Sequence, residues 1–248
     1  MGARTAGARR TEAPRHRDLW DDEGVRHDLI LLDLDGTLMD SAAGIISSIR
    51  HTYVTLGVPA PPDDELRRFV GPPITESFLA HGFTPETLPE AMRVYRADFA
   101  ARGMHDNRVF DGIEETLTAL VAAGVTLAVA TSKPEVFARE LTAEFGLDPY
   151  LAGTYGATLD EHSRASKAAV ISYALLELEE TAFADRGLPP PERIVMVGDR
   201  SHDVDGARLN GLACVGVAWG YADEGELAAH GASTVVETPH ELADLLLG

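Results

Sequence analysis

Short continuous runs of apolar residues alternate along the chain with segments whose apolar positions recur at helical spacing. The apolar runs lie at residues 29–32, 125–130, 152–157, 193–197, 214–218 and 234–236. Continuous runs of this length are typical of strands that are buried on both faces of a parallel sheet. Strands that alternate with helices are joined by right-handed crossovers, so the pattern predicts an α/β fold with a doubly wound, Rossmann-like parallel sheet.

The segment between the first two apolar runs has a different character, because it carries helical periodicity and no strand signal. In its first helix, Ile45, Ile49 and Tyr53 fall on one face, and Gly57 and Pro59 end the helix. Further helices are predicted at residues 64–70, 74–81 and 85–102. We therefore expect an all-helical cap at residues 42–108, inserted into a core formed by residues 28–41 and 109–248.

Charge and composition restrict the possible partners. The net charge of -19 argues against a nucleic acid polymer or a membrane surface as partner, because phosphates bind basic surface. Residues 1–27 have neither periodicity nor an apolar signal segment, and we expect a disordered extension there. The single cysteine, Cys214, fits a cytoplasmic protein without an intrachain disulfide. The sequence leaves monomer and homodimer equally open.

Two carboxylates, Asp33 and Asp35, stand directly after the first apolar run, followed by Gly36. Such a pair can be an ordinary turn, since Asp and Gly are common turn formers. A calcium loop is excluded by spacing, because Leu38 and Gly44 occupy the positions of its required Gly and Glu. Open α/β sheets bind ligands at the carboxyl ends of their strands. A pair of acids there is therefore predicted to hold a cation.

Further polar groups follow the other strands and would meet the two acids at one edge if the first strand is central. They are Thr131, Ser132, Lys133, Lys167, Asp199 and Asp203. Carboxylates without a His or Cys ligand set suit a hard cation such as Mg²⁺. Lysine and hydroxyl groups suit an anion, and 19 of the 21 basic residues are arginines, so a lysine that persists can serve a special purpose. The combination predicts phosphoryl transfer.

These motifs, in this order, resemble those of the haloacid dehalogenase superfamily of aspartate-nucleophile phosphohydrolases. The matching elements are Asp33-Leu-Asp-Gly-Thr-Leu, Thr131, Lys167 and Gly198-Asp-x-x-x-Asp, and the resemblance extends over residues 28–248. The resemblance implies a Mg²⁺-dependent reaction through an aspartyl-phosphate intermediate on Asp33. It also implies that Asp35 is the acid/base.

The resemblance assigns roles to the remaining groups as well. It implies that Thr131 and Ser132 bind the phosphoryl group together with Gly36, and that Lys167 neutralises its charge. It implies a metal site formed by Asp33, Asp35 (through its backbone carbonyl), Asp199 and Asp203. We interpret Lys133 and Arg164 as further candidates for substrate binding, each with the alternative of a purely structural role.

Asp35 and the cap position narrow the resemblance to the helical-cap phosphatases. The resemblance implies that true dehalogenases lack this acid and that ATP-driven pumps have a Thr there, so both classes are disfavoured. The stretches Val70-Gly-Pro-Pro and Gly198-Asp-Arg-Ser-His-Asp are similar to 5'-nucleotidase-like and phosphoglycolate phosphatase-like sequences, which act on small phosphorylated metabolites. A phosphomutase of the β-phosphoglucomutase type and a non-catalytic phosphate-binding scaffold are the alternatives. Residues 71–74 are expected to face the catalytic aspartates.

Overall fold

The structure, a computed structural model, describes residues 27–160 and 163–248. The disordered extension predicted for residues 1–27 lies outside the described residues, except for His27. Within the described ranges, no helix combines the length and the apolar character needed to cross a membrane.

A six-stranded parallel sheet forms the centre of the molecule, as the alternation of apolar runs predicts. In chain order, the strands of the described residues are β1 (Leu29–Leu32), β2 (Met39–Asp40), β3 (Arg108–Val109), β4 (Thr126–Pro134), β5 (Gly153–Ala157), β6 (Ile194–Gly198), β7 (Ala213–Val217) and β8 (Thr234–Val236). The order in the large sheet is β5-β4-β1-β6-β7-β8. Strand β1 lies between β4 and β6, with Leu32 opposite Val129 on one side and Val197 on the other. The predicted α/β fold is confirmed.

The wholly apolar sequence of β1 follows from its burial on both faces. Leu29 and Leu31 pack into one hydrophobic cluster, whereas Ile30 and Leu32 pack into the other, because successive side chains of a strand point to opposite faces. All four side chains are at most 1% exposed. Polar residues directly after such a strand leave the core at its carboxyl edge.

Helices cover both faces of the sheet and also form the insertion. In chain order they are α1 (Ala42–Leu56), α2 (Asp63–Arg67), α3 (Ile74–Ala80), α4 (Leu88–Ala101), α5 (Ile113–Ala122), α6 (Glu135–Glu144), α7 (Lys167–Glu180), α8 (Ser201–Leu209), α9 (Glu226–His230) and α10 (Pro239–Leu247). Residues of α5, α6 and α10 join the cluster beneath one face, and residues of α7, α8 and α9 join the cluster beneath the other. This arrangement is the doubly wound layering of helix, sheet and helix.

Helices α1 to α4 form the helical insertion, which we call the cap. Its interior is aromatic, with Tyr53, Phe78 and Phe83 in mutual edge or tilted contact at ring-centroid distances of 5.1–5.9 Å. Aromatic pairs in such geometries stabilise beyond the area that they bury. These rings belong to the same hydrophobic cluster that lies under one face of the sheet, so the interior of the cap is continuous with the core.

A two-stranded ribbon joins the connections between core and cap, and the sequence pattern did not reveal it. Strand β2 pairs antiparallel with β3, with Met39 opposite Val109 and Asp40 opposite Arg108. The expectation that residues 42–108 contain no strand is wrong at Arg108. A two-residue strand is too short to produce a period-2 pattern, and its partner lies far away in sequence. The exact limits of core and cap remain a prediction.

Candidate active site

The carboxyl edge of the sheet brings together the acids that follow β1 and β6. Asp33 and Asp199 come directly after these neighbouring strands, and Asp203 lies in the first turn of α8. One carboxylate oxygen from each of the three lies within 4.8 Å of the others, and all three side chains are buried. The predicted meeting of these groups at one edge is observed.

Lys167 supplies the positive charge at this cluster. Its Nζ lies 2.7 Å from Asp33 Oδ1 and 2.7 Å from Asp203 Oδ1, and it donates to the carbonyl of Ala130 at 3.0 Å. The side chain begins at the first residue of α7, whose N-terminus is capped by Ser166. A compact ammonium contacting three oxygens in this way explains why Lys occurs here in an arginine-rich chain.

Burial and mutual repulsion shift the titration of this cluster. Burial, opposed by Lys167 and reinforced by Asp203, raises the pKa of Asp33 to about 6. Burial, together with the charges of Asp203 and Asp33, raises the pKa of Asp199 well above its ordinary value. Burial disfavours the charged form of Lys167, but Asp203 and Asp33 outweigh it and raise the pKa of this side chain. The site thus holds more negative charge than one lysine balances.

The donor set fits a divalent cation. Three buried carboxylates face one ammonium, which leaves two negative charges uncompensated when all are ionised. The donors are exclusively oxygen atoms, and hard cations such as Mg²⁺ prefer these ligands. The Asp35 carboxylate is not part of this group, so its predicted contribution to the metal site rests on its backbone carbonyl.

Short-range contacts fix the orientation of Asp199. The Thr37 hydroxyl donates to Asp199 Oδ1 at 3.3 Å, and the backbone N–H of Tyr221 donates to Asp199 Oδ2 at 2.7 Å. Gly36 has a positive φ of 87°, and a Cβ atom at this position would lie only 2.2 Å from Asp199 Oδ2. Glycine at position 36 therefore supplies both the turn and the room for the carboxylate.

Asp35 forms a separate ion pair on the side of the cluster that faces the cap. Its Oδ2 lies 3.0 Å from Lys133 Nζ, and that ammonium lies 4.5 Å from the centre of the Phe99 ring in the cap. Asp35 Oδ1 and Ser132 Oγ are buried without a hydrogen-bond partner within the described ranges. Asp35 Oδ1 can accept a hydrogen bond from a bound substrate, and the Ser132 hydroxyl can donate one to it.

Strand β4 is longer than predicted, and this places its polar residues on extended backbone. The prediction ended the strand at residue 130, whereas β4 continues through Pro134. The polar side chains of Thr131 to Lys133 concealed this continuation, which pairs with β5 across a register shift between Thr131 and Pro134. The Thr131 side chain accepts a hydrogen bond from the Lys133 amide at 3.2 Å, which orders this edge.

Arg164 is the predicted binding residue that stands apart from the acid cluster. Its Nη1 lies 3.1 Å from Glu135 Oε2, and its guanidinium lies 3.8 Å from the centre of the Tyr173 ring. Both contacts are made to residues of the core helices α6 and α7, and they supply a structural role. Its participation in substrate binding stays a prediction.

A loop after β7 contributes contacts that no sequence motif indicates. The Tyr221 hydroxyl donates to Asp40 Oδ1 at 2.8 Å and accepts from the backbone amides of Ser41 and Ala42 at 2.9 and 3.1 Å. Arg108 Nη2 donates to Asp40 Oδ2 at 2.9 Å. Tyr221 therefore connects the ribbon beneath the cap with Asp199, to which its own amide donates. The only sequence signal was an aromatic side chain shortly after a strand at the ligand-binding edge.

Arg200 bridges the core and the cap. Its Nη1 donates to the carbonyl of Val70 in the cap at 2.7 Å, and its Nε donates to Glu226 Oε1 at 3.1 Å. Gly71 has a positive φ of 102°, and a Cβ there would lie 2.9 Å from Arg200 Cγ, so the cap loop packs directly against this side chain. Arg68 of the cap and Asp223 of the core form an exposed ion pair across the same boundary at 3.6 Å.

Replacing Glu226 with glutamine is expected to lower the free energy of unfolding at pH 7 by about 2 kcal/mol. Burial alone would raise the pKa of Glu226, but the Ser201 and Asp223 donors and Arg200 outweigh it and hold the pKa at about 2, below its ordinary 4.5. Because the folded pKa is lowered, this stabilisation is complete above pH 4.5 and is lost as the pH falls towards 2.

Urea unfolding of wild type and E226Q at several pH values tests this expectation. The stability difference between the two proteins should be constant from pH 7 to 5 and should shrink progressively below that range. Glu140→Gln, at an exposed position of α6, removes the same charge without these contacts and should change little. A difference that is independent of pH down to 3 would contradict the proposed role of the ionised Glu226.

A cavity of about 240 Å³ opens between the cap and the edge that carries Asp35. Ser132, Lys133 and Pro134 line it from the core side. The residues of the predicted facing loop, Gly71 to Ile74, line it from the cap side. The remaining cap residues in its wall are the apolar or aromatic Ile45, Phe69, Met92, Tyr95 and Phe99 and the polar or charged Thr75, Glu76 and Arg96. The cavity thus joins the acid/base candidate to a chamber that is largely but not wholly apolar.

Known proteins resemble this chain in sequence and in fold. The sequence profile described as haloacid dehalogenase-like hydrolase matches residues 30–217. A solved structure of a predicted phosphatase from Clostridium acetobutylicum superposes with a TM-score of 0.82 and 37% identity, covering 90% of this chain and 99% of that one. Its likeness extends through the sheet and the cap.

Three relatives carry names that bear on activity. The chain is 48% identical over 80% of its length to the tyrosine-protein kinase PtkA of Mycobacterium tuberculosis, and the match spans 64% of that relative. It is 34% identical over 79% of its length to a phosphoglycolate phosphatase of Agrobacterium fabrum, covering 82% of that protein. It is 42% identical to a 5'-nucleotidase of Pseudomonas aeruginosa over 90% of this chain and 95% of the relative.

The family profile accounts for most of the chain, and the nucleotidase match covers nearly all of both sequences. The ordered motifs, the parallel sheet and the helical cap agree with this match. The chain belongs to the family of haloacid dehalogenase-like hydrolases.

Proposed function

We propose that the protein is a Mg²⁺-dependent phosphatase that hydrolyses small phosphate monoesters through an aspartyl-phosphate intermediate. The observation that carries this proposal is the buried cluster of Asp33, Asp199 and Asp203 around Lys167. Relatives named as 5'-nucleotidase and phosphoglycolate phosphatase support the phosphatase class.

Asp33 is the proposed nucleophile. Its carboxylate, with a pKa of about 6, is ionised at neutral pH and can attack phosphorus. The new bond joins Asp33 oxygen to phosphorus while the bond from phosphorus to the leaving oxygen breaks. Lys167 contacts Asp33 at 2.7 Å, so its ammonium lies where the transferring phosphoryl group gains negative charge. The other phosphoryl oxygens are bound by the Thr131 hydroxyl and by Ser132, together with Gly36 at the turn after β1.

Asp35 is the proposed acid/base. It gives a proton to the leaving oxygen in the first step and takes a proton from water in the second, and that water releases phosphate from Asp33. Lys133, at 3.0 Å, holds the Asp35 carboxylate toward the cavity. Asp33, Asp199 and Asp203, with the Asp35 carbonyl, would hold Mg²⁺. The bound ion supplies positive charge to the phosphoryl oxygens.

The cap, proposed to comprise residues 42–108, excludes bulk water over this site. Its loop at Gly71 to Ile74 shares the cavity with Asp35. In this proposal the catalytic groups belong to the core, which comprises residues 28–41 and 109–248. We further propose that the enzyme acts in the cytoplasm on a small phosphorylated metabolite, as a monomer or homodimer.

Phosphate release from a panel of nucleotides, sugar phosphates and phosphoglycolate tests the proposed function. We expect release that falls to background after chelation of divalent ions and is restored by Mg²⁺. With ³²P-labelled substrate, an acid quench should trap label on the protein in a form that hydroxylamine removes, as an acyl phosphate requires. Release that persists without divalent ions, or turnover without labelled protein, would contradict the proposed mechanism.

A second candidate is transfer of the phosphoryl group to an acceptor hydroxyl other than water. The name of the relatives with 48% identity, tyrosine-protein kinase, is the observation that favours it. The core chemistry is the same, and only the second acceptor differs. Appearance of phosphotyrosine or of an isomerised sugar phosphate, rather than free phosphate, would identify a kinase-like enzyme or a phosphomutase, respectively. If no assay detected turnover of any substrate, a non-catalytic phosphate-binding scaffold would be favoured.

A further inference from the structure

The cavity beside Asp35 has a wall of aromatic rings. Tyr95 and Phe99 of α4 are stacked, with centroids 5.8 Å apart and planes 21° apart. Phe137 of α6 meets Phe99 edge-on at 5.6 Å. Phe69 lines the same chamber. Rings therefore reach the cavity from both the cap and the core.

We propose that this chamber binds a flat ring carried by the leaving group of the substrate. The inference rests on the proposed function, because Asp35 can protonate the leaving oxygen only if the leaving group lies on its side of the site. The cavity starts at Asp35 and extends among the rings. A planar apolar group buried between aromatic side chains gains both area burial and stacking.

Two cations, Lys133 and Arg96, also lie in the cavity wall, and both have partners. Lys133 pairs with Asp35 at 3.0 Å and lies over the Phe99 ring. Arg96 Nη2 donates to the carbonyl of Leu159 at 2.9 Å. These two charges would favour an anionic group beside them, so the rings, and not the cations, carry the inference of a flat leaving group.

Two kinds of phosphate ester present a flat ring in this way. In a nucleoside 5'-monophosphate the ring is the base and is separated from the leaving oxygen by the sugar. In an arylalkyl or aryl phosphate the ring is close to the leaving oxygen. The shared chemistry is the ring, and the experiment separates the two sources.

Matched substrate pairs measure the contribution of the ring at constant leaving-group reactivity. AMP is compared with ribose 5-phosphate, and 2-phenylethyl phosphate with ethyl phosphate, because each pair shares a primary alkyl leaving oxygen. We expect kcat/KM to be roughly 10- to 100-fold higher for the ring-bearing member of at least one pair. The pair with the larger ratio identifies the source of the ring.

Two leucine variants locate the effect. Tyr95→Leu and Phe137→Leu replace a ring of the wall with an aliphatic side chain, and each should reduce the ratio within the preferred pair at least about threefold. Phe145→Leu, at a partly buried ring just past the end of α6 and outside the cavity, should leave that ratio unchanged. The ratio is insensitive to a general loss of folded enzyme, so a stability defect alone cannot produce the expected result.

The outcomes separate this inference from the proposed function. Ratios near one in both pairs, together with Mg²⁺-dependent phosphate release, would overturn the ring site and leave the phosphatase standing. Ratios that Tyr95→Leu and Phe137→Leu do not change would overturn its location. Failure to release phosphate from every member of both pairs and from phosphoglycolate would refute the proposed function, and the ring site would fall with it.

Discussion

Replacing Asp33 with asparagine is expected to lower Mg²⁺-dependent phosphate release at least about 10³-fold. The amide cannot form the acyl phosphate that the proposed mechanism requires, whereas the remaining groups of the site stay in place. The change also removes a charge from a buried carboxylate whose pKa is raised to about 6, so the folded protein should not be destabilised at neutral pH. Loss of activity with preserved stability distinguishes a missing nucleophile from a damaged fold.

Steady-state phosphate release and a thermal unfolding scan on the same preparation measure both quantities. Asp205→Asn is the matched control, since Asp205 lies on the exposed side of α8, where it pairs with Arg208 and His230. That variant should retain activity within about twofold of the wild type. An Asp33→Asn enzyme that kept a tenth or more of the wild-type rate would rule out Asp33 as the nucleophile.

The sequence predicted the sheet well because its strands are buried on both faces. Leu29 to Leu32 form an unbroken apolar run for this reason, and the alternation of such runs with helices left little choice of topology. The prediction failed where a strand continues into functional residues. Thr131 to Lys133 are polar, and Ser132 and Lys133 line the cavity, so the extension of β4 carries no apolar signal.

Asp33 and Asp199 could be located in the sequence because each follows a strand directly, and Asp203 because it lies four residues beyond Asp199. The groups that hold them could not be located, since their contacts span the chain and often use backbone atoms. The amide of Tyr221 donates to Asp199, and its hydroxyl meets Asp40 from a position 181 residues away. The carboxylate of Glu226 likewise accepts a hydrogen bond from the backbone amide of Ser201. No residue type or spacing is required for a backbone donor, so no motif marks it.

The pairing of Asp35 with Lys133 shows a further limit of the sequence. Both residues were candidates, but their 3.0 Å contact depends on the extended course of β4 beside β1. The aromatic chamber has a similar origin. Phe69, Phe99 and Phe137 come from three separate helices or loops, and each of them alone reads as an ordinary core residue. Only the packing of the cap on the core shows that their rings share a cavity.

Replacing Lys167 with methionine is expected to abolish detectable turnover and also to destabilise the protein by about 3–5 kcal/mol at pH 7. Without its ammonium, Asp33 and Asp203 lose a partner at 2.7 Å while both remain buried. For a chain of this size, the melting temperature should fall by roughly 10 °C. Thermal unfolding monitored by circular dichroism, beside a phosphate-release assay, provides both measurements.

The pH dependence of this destabilisation tests its electrostatic origin. In the wild type the pKa of Lys167 is raised above its ordinary 10.5. The stabilisation that its ammonium provides is therefore fully present below pH 10.5, and it stays constant from pH 5 to 8. In Lys167→Met, Asp33, whose pKa is already raised by burial in the wild type, loses the ammonium that opposes this rise. The cost of its buried charge therefore falls as Asp33 becomes protonated, and the stability difference should narrow between pH 7 and 5.

A double variant separates lost charge balance from lost packing. Adding Asp33→Asn to Lys167→Met removes one of the two stranded carboxylates, so the double variant should be more stable than Lys167→Met alone while remaining inactive. Arg164→Met removes a neighbouring cation that is paired with Glu135 outside the acid cluster, and it should not show this coupling. If the two substitutions were simply additive and independent of pH, the loss would reflect packing. Lys167 would then not be the group that balances the charge of the nucleophile.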